Sequence, residues 1–347
     1  MPDSTPIRAA IIGYGLSGRI FHAPFLAADP RFSIAAISTS DPARQARAAE
    51  DHPGARIYGS PEELLAQSFD LVVLASPAHV HLEQGLPALA RGAALVVDKP
   101  FAPSLAAAEQ LIAAAAAAGR PLIVFQNRRW DGDFLTLRKL LAEGVLGRVH
   151  RFESTFERWS PDVRPRWQDT TGTSQGAGIV FDLGSHLVDQ ALQLFGPAAL
   201  VAAELSILRP GAVSADEAFL SLLHDSGTRS HLTMSRYATQ AGPRFRMLGS
   251  TAGYMVHGLD PQEHALVAGA RPGDADFGVA PERAWGTLGV DASGSSAVPI
   301  ATERGDYAAF YAGVAAAILD GAPPPVDPGD ALAALRIIVQ AHELAGI

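Results

Sequence analysis

Over the first third of the chain, continuous apolar runs alternate with amphipathic stretches. IRAAII (7–12), FSIAAIS (32–38), FDLVVLAS (69–76), AALVVDKP (93–100) and RPLIVFQN (120–127) read as strands apolar on both faces. Helical patterns lie between them, from the first glycine-rich turn to about residue 28 and over 41–50, 82–91 and 104–118. Strands covered on both sides and joined through helices predict a parallel, doubly wound sheet. From about residue 150 the rhythm changes. Segments 151–159, 200–208, 218–225, 228–237, 244–250 and 253–258 alternate partially between short turn signals, which predicts a large, mostly antiparallel open sheet. Residues 269–303 are rich in Gly, Pro, Asp and Ser and read as loop; helices over about 304–320 and 328–345 close the chain. The expected fold class is α/β, with a doubly wound parallel-sheet domain over 1–125 and a second α/β domain over 126–347. Its last helices, 304–347, are expected to pack back toward the first domain.

The first strand runs into Gly13-Tyr14-Gly15-Leu16-Ser17-Gly18, and a helix opens there. A GxGxxG at that place in a βαβ unit is a dinucleotide-binding turn. Gly13 makes the tight turn, Gly15 admits the pyrophosphate and Gly18 allows close helix–strand packing. The free N–H groups of the helix start face the phosphates. Cofactor choice is read at the tip of the second strand, where an NAD site carries Asp or Glu for the ribose hydroxyls. Here Thr39 and Ser40 stand at the tip, with Arg44 and Arg47 one and two turns on. Hydroxyls with an arginine accept a 2′-phosphate that a carboxylate would repel, so NADP is expected, with NAD as the alternative. Asp41 precedes Pro42 and reads as a helix cap rather than a ribose ligand.

Charge and composition narrow the partners. With 36 acidic and 27 basic residues the formal charge is −9, which argues against nucleic acid or an anionic membrane as the main partner. The absence of cysteine removes disulfides, thiolate zinc sites and cysteine nucleophiles. No leader is read in MPDSTPIRAAIIG and no apolar run is long enough to span a bilayer, so a soluble, cytoplasmic protein is expected. Only two of the 27 basic residues are lysines, Lys99 and Lys139. Lys99 directly follows a buried-looking strand. Lysine, unlike arginine, shifts its pKa readily when desolvated.

In GIVFDLGSHLVDQ (178–190), Asp182, His186 and Asp189 stand at spacings of four and three. In a helix they share one face, opposite Leu183, Leu187, Ala191, Leu194 and Phe195. That stripe reads as a metal site, an acid/base constellation or the wet side of an amphipathic helix. The metal reading is the weakest, since neither cysteine nor an HExxH-type second histidine accompanies it.

GYGLSGRIFHAPF near the N-terminus, VVDKP at 96–100, QNRRWDGDF at 126–134 and GAGIVFDLGSHLVDQ at 176–190 together resemble the Gfo/Idh/MocA oxidoreductases. The resemblance covers essentially the whole chain and is greatest to the branch that includes NADP-dependent scyllo-inositol dehydrogenases. It implies an N-terminal Rossmann domain, a C-terminal α/β domain with an open sheet, reversible oxidation of a hydroxyl on a cyclic polyol or sugar, and a homodimer or homotetramer built through that sheet. Where family members commonly have Glu-Lys-Pro, this chain has Asp98-Lys99-Pro100. By the resemblance Lys99 is the active-site lysine, and Asp182 and His186 are the helix-borne aspartate and histidine. The chemistry agrees: histidine suits the hydroxyl proton, and an ammonium stabilises developing alkoxide charge. Ser76, Pro77 and His81 are expected to line the nicotinamide half of the site, with Gln126 and Asn127 also toward the cofactor. Arg128, Trp130, Arg158 and Trp167 are assigned to the substrate, with Trp159 and Arg166 in the same wall. No metal is expected. Two other readings of the fold stay open, a non-catalytic dinucleotide sensor and an enzyme that uses tightly bound NAD transiently.

Overall fold

The computed structural model describes residues 5–346; residues 1–4, on which the reading of a leaderless N-terminus partly falls, and residue 347 lie outside the described residues. The chain divides into two compact units. The first comprises the described part of Met1–Asn127 with Gln262–Phe277 and Tyr307–Leu332; the second comprises Arg128–Pro261, Gly278–Asp306 and the described part of Ala333–Ile347.

In the first unit six parallel strands form one sheet: β1 (Ile7–Ile12), β2 (Phe32–Ser38), β3 (Arg56–Tyr58), β4 (Leu71–Leu74), β5 (Ala94–Val97) and β6 (Leu122–Val124). Their spatial order is β3-β2-β1-β4-β5-β6. Every residue of β4 and β5 is buried, as continuous apolar runs between helical layers require. The order reverses between β1 and β4, and a doubly wound sheet binds ligands beyond the carboxyl ends of its strands at such a reversal. Helix Pro42–Asp51 begins as read: Asp41 accepts from the Arg44 amide at 3.0 Å and Pro42 takes the first position. Strand β3 was not expected; three residues after a turn at the sheet edge leave too short a pattern to read.

The second unit holds an eight-stranded sheet of β7 (Val149–Glu157), β8 (Ala198–Ser206), β9 (Glu217–His224), β10 (Arg229–Ser235), β11 (Phe245–Gly249), β12 (Gly253–Val256), β13 (Gly286–Gly289) and β14 (Val298–Ile300). The order is β14-β13-β12-β11-β7-β10-β9-β8. The β7–β10 pair is parallel and the other pairs are antiparallel. Phe152, Phe156, Leu220, Leu222, Leu232, Met234 and Met247 are buried on one face, against which helix Ser185–Phe195 packs. Residues 269–303, expected as loop, supply β13 and β14. Their glycine content has a packing cause: a Cβ on Gly286 would stand 2.2 Å from the Tyr254 hydroxyl oxygen.

Charges as well as apolar groups lie inside this unit. Arg244 stacks 4.0 Å from the Phe245 ring centroid, donates to Ser154 Oγ and Gln190 Oε1 (2.8 Å each) and stands 3.9 Å from Asp133. Burial, with the nearby Asp131 carboxylate second, pushes Asp133 up to about 7 against the pull of Arg244. A carboxyl raised in this way holds its proton in the folded state when the unfolded chain, near 3.8, has released it. Its favourable contribution is therefore complete below that lower value and is lost as pH rises through about 7. Asp133→Asn should accordingly gain stability relative to the parent between pH 5 and pH 8, read by urea unfolding at both. A stability difference that does not change with pH would contradict this.

Candidate active site

The glycine-rich turn has the geometry its sequence demands. Gly13 adopts φ +94°, donates to the Ser38 carbonyl at 2.8 Å and lies so near strand β4 that a Cβ would stand 2.6 Å from the Ala75 carbonyl oxygen. A Cβ on Gly18 would be 1.9 Å from the Gly13 carbonyl oxygen. Above Gly15 the space is open, met only by the Arg44 guanidinium at 3.7 Å. Ser17–His22 form a wide, π-type turn whose start carries no side-chain cap, leaving amides to face an anion. This cradle fits a dinucleotide pyrophosphate. Tyr14 supports it from beneath rather than facing a ligand: the ring is 2% exposed and its hydroxyl donates to Asp51 at 2.8 Å. Burial raises that phenol's pKa first, and the bond to Asp51 raises it further.

At the strand tips, Thr39 is buried, with its carbonyl held by Gln45 at 2.8 Å, while Ser40 and Arg44 are exposed. After β4, Ser76 donates to Gln84 at 2.6 Å and Pro77 follows half-buried. His81, expected to face the cofactor, is 0% exposed, with its ring nitrogens 2.9 Å and 3.0 Å from the Ser76 and Phe101 carbonyls. It clamps two loops together and has no edge to offer a ligand. Half-buried Lys99 follows β5, its amide donating to the Asp98 carboxylate at 2.8 Å, and the Lys99–Pro100 peptide is cis. Gln126 and Asn127, 4% and 5% exposed, follow β6. All of these residues belong to the first unit.

Asp182 and His186 belong to the second unit. Their helix opens with a widened π-type turn, Val180–Gly184, before the regular helix Ser185–Phe195. Asp182 therefore sits in a turn broader than a uniform helix would give, and it is not the helix cap. The stripe is not a wet face either: His186 and Asp189 are 4% and 2% exposed, like the apolar residues behind them. A helix buried on both faces must have its charges met by other charges. Asp189 receives Arg129 through two bonds, at 2.6 Å and 2.8 Å, and Gln190 bridges the Arg128 carbonyl and Arg244. Asp182 takes a short bond from Arg236.

Arg236 is the residue that spacing arguments missed. A signal exists: it shares the inward register of Leu232 and Met234 at the end of β10, where a charge is out of place unless it is paired. A charge ladder continues beyond it. Asp169 lies 4.0 Å from Arg236, 2.8 Å from Arg166 and 3.1 Å from Arg209, and Arg209 reaches Asp216 at 2.9 Å. Burial pushes Asp169 up, but the guanidiniums of Arg166 and Arg209 outweigh it and hold its carboxyl below the usual range. The expected substrate wall falls in the same unit. Arg128 and Arg158 each stack 4.9 Å from the Phe156 centroid, and Arg128 is buried and paired with Asp131 at 3.2 Å. Trp130 and Trp167 are half-buried. Trp159 is 51% exposed beside Tyr237.

Removing Arg236 leaves a carboxylate inside the protein without its cation, a loss of about 3–5 kcal/mol for buried pairs. Arg236→Gln should lower the unfolding free energy by about 3 kcal/mol in urea titration. A loss below about 1 kcal/mol would show the pair to behave as a surface ion pair.

Comparison with known proteins agrees with this architecture. Residues 7–126 match "Oxidoreductase family, NAD-binding Rossmann fold" and residues 134–255 match the "GFO/IDH/MocA C-terminal domain". The oxidoreductase YdgJ of Escherichia coli (strain K12) is 39% identical, over 96% of this chain and 95% of its own. The scyllo-inositol 2-dehydrogenase (NADP(+)) IolW of Bacillus subtilis (strain 168) is 34% identical, over 97% of this chain and 93% of its own. The solved structure of Bacillus subtilis yvaA, described as an oxidoreductase, superposes with a TM-score of 0.91 at 32% identity, covering 98% of this chain and 96% of that one. Domain models matched over residues 7–126 and 134–255, with relatives 39% and 34% identical over nearly the full length, make this chain a member of the Gfo/Idh/MocA family of oxidoreductases.

Proposed function

We propose that this chain is an NADP-dependent, cytoplasmic dehydrogenase that oxidises a secondary or anomeric hydroxyl of a cyclic polyol or sugar, with Lys99, Asp182 and His186 serving one reaction. The observation that carries this reading is the pairing of chemistry with placement. A dinucleotide cradle and a lysine share the carboxyl edge of one parallel sheet, and a buried histidine follows an arginine-held aspartate on one helix. The name of the inositol-oxidising relative supports the substrate class.

Gly13, Gly15, Ser17 and Gly18 would hold the pyrophosphate, with Thr39, Ser40 and Arg44 at the adenosine ribose and Ser76 and Pro77 toward the nicotinamide. When bound, NADP supplies the ring that accepts hydride from the carbinol carbon. In the proposed oxidation His186 takes the hydroxyl proton, so an alcohol becomes a carbonyl with release of one proton and one hydride. The Lys99 ammonium stabilises the oxygen as negative charge grows on it. Asp182, paired with Arg236, accepts a hydrogen bond from the substrate and orients it. Arg128, Trp130, Arg158 and Trp167 serve the sugar's remaining hydroxyls and C–H faces.

We further propose a homodimer or homotetramer formed through the open face of the second sheet. Met255 and Leu223 are exposed there beside Phe219 and a partly exposed Arg246–Glu153 pair.

A panel of inositols and aldoses, followed by NADPH absorbance, tests the reading. Lys99→Met and His186→Ala should each lower turnover at least ~10²-fold with little change in the NADP+ dissociation constant. Near-parental turnover in either would remove that residue's role. The Michaelis constant should be lower for NADP+ than for NAD+, and Arg44→Ala should narrow the gap. A clear preference for NAD+ would overturn the cofactor assignment.

A further inference from the structure

The GRIFHAPF stretch (18–25) supplies Gly18 to the cradle, but its histidine has no part in the chemistry above. His22 is nonetheless 0% exposed inside the first unit. Its ring lies 4.3 Å from that of Phe125, and its Nδ1 is 2.7 Å from the Tyr311 hydroxyl. Its Nε2 points to the Asp98 carboxylate across 3.9 Å, an electrostatic contact rather than a hydrogen bond. A phenylalanine or leucine would fill the same space without burying two ring nitrogens.

The proton arrangement follows from the neighbours. If Nε2 carried only a lone pair it would face a carboxylate, and two acceptors would repel. A hydrogen on Nε2 avoids that repulsion, and in that tautomer Nδ1 accepts from the Tyr311 hydroxyl. Beyond Nε2, Asp98 is a hub. One of its oxygens accepts the Lys99 amide at 2.8 Å. Burial pushes this carboxyl up, yet His22, Lys99 and Ser17 outweigh it and hold it below its ordinary range. One buried anion thus links the turn that cradles the cofactor to the residue that follows β5.

We propose that His22 is a positioning residue for hydride transfer: its buried ring, with Nε2 3.9 Å from the Asp98 carboxylate, keeps that side chain and the Lys99 next to it in place. The inference rests on the reading of Lys99 given above. Without that contact the carboxylate turns, and Lys99 beside it shifts. Displacements of this kind, remote from the reacting atoms, are costly because transfer demands close alignment.

The test compares full-length His22→Asn, His22→Gln, Asp98→Asn, Tyr311→Phe, Lys99→Met and the His22→Asn/Asp98→Asn double variant. Each is assayed for kcat and KM with the best substrate of the inositol and aldose panel, and for NADP+ dissociation constant by fluorescence titration. His22→Asn keeps a partner for Tyr311 but withdraws the donor from Asp98. It should lower kcat about 10-fold with KM for the polyol nearly unchanged, and weaken NADP+ about 3-fold. His22→Gln, which reaches toward Asp98 with an amide N–H, should recover kcat to within about 3-fold of the parent. The double variant should be no worse than Asp98→Asn alone, since both changes cut one connection. Tyr311→Phe should cost less than His22→Asn.

Parental kcat and NADP+ binding in His22→Asn, or an additive loss in the double variant, would overturn the proposal. If His22→Asn does not fold, Asp98→Asn decides: parental turnover there overturns it equally. Lys99→Met that turns over normally removes the reading of Lys99, and this inference with it. An inactive Lys99→Met beside a fully active His22→Asn removes this inference alone.

Discussion

A carboxylate taken out of water has to be met by donors or cations, and the residues assigned to chemistry here are placed by that demand. Asp182 is held by Arg236, Asp189 by Arg129, and Asp98 by the Lys99 amide with His22 facing it. Most of these partners come from other elements: a strand end for Arg236, a turn after β6 for Arg129, and the turn Ser17–His22 for His22. They tie the helix that carries Asp182 and His186, and the strand end that carries Lys99, to distant stretches of chain. Such pairs are weak as net stabilisers yet exacting in geometry, because a buried charge out of reach of its partner is expensive.

The glycine cradle obeys a complementary demand, for absence rather than presence. Gly13 and Gly18 leave no room for a side chain against the Ala75 and Gly13 carbonyls, while Gly15 leaves its space to whatever binds above. The first unit thus presents backbone and the second presents paired side chains. Two widened helical turns, Ser17–His22 and Val180–Gly184, open the helices that carry these features. Each places an extra residue in its turn and re-aims the side chains that follow.

Much of this was legible in the chain itself. Continuous apolar runs marked β1, β2, β4, β5 and β6 because strands hidden on both faces tolerate little else, and Asp41-Pro42 marked a helix start through its local chemistry. What escaped had physical causes. Strand β3 has three residues, and β13 and β14 lie among glycines, of which Gly286 makes room for Tyr254, so no periodicity could accumulate. The polar stripe of Asp182, His186 and Asp189 was visible, but periodicity cannot tell a face met by water from one met by arginines. Arg236 and Arg129 lie 54 and 60 residues from their partners, beyond any local pattern. His81 illustrates the reverse: a histidine at a strand tip suggested a ligand, and two backbone carbonyls turned out to hold it.

The proposed function requires a hydride to pass from a ring carbon to the nicotinamide while His186 takes the hydroxyl proton. The most direct measurement uses C-deuterated scyllo-inositol with NADP+ in a single turnover, reading label in the reduced nicotinamide by mass spectrometry. One deuterium should pass to the nicotinamide in the parent, and its transfer should slow at least ~10²-fold in His186→Ala. Oxidation without label on the nicotinamide, or an undiminished rate in that variant, would contradict it.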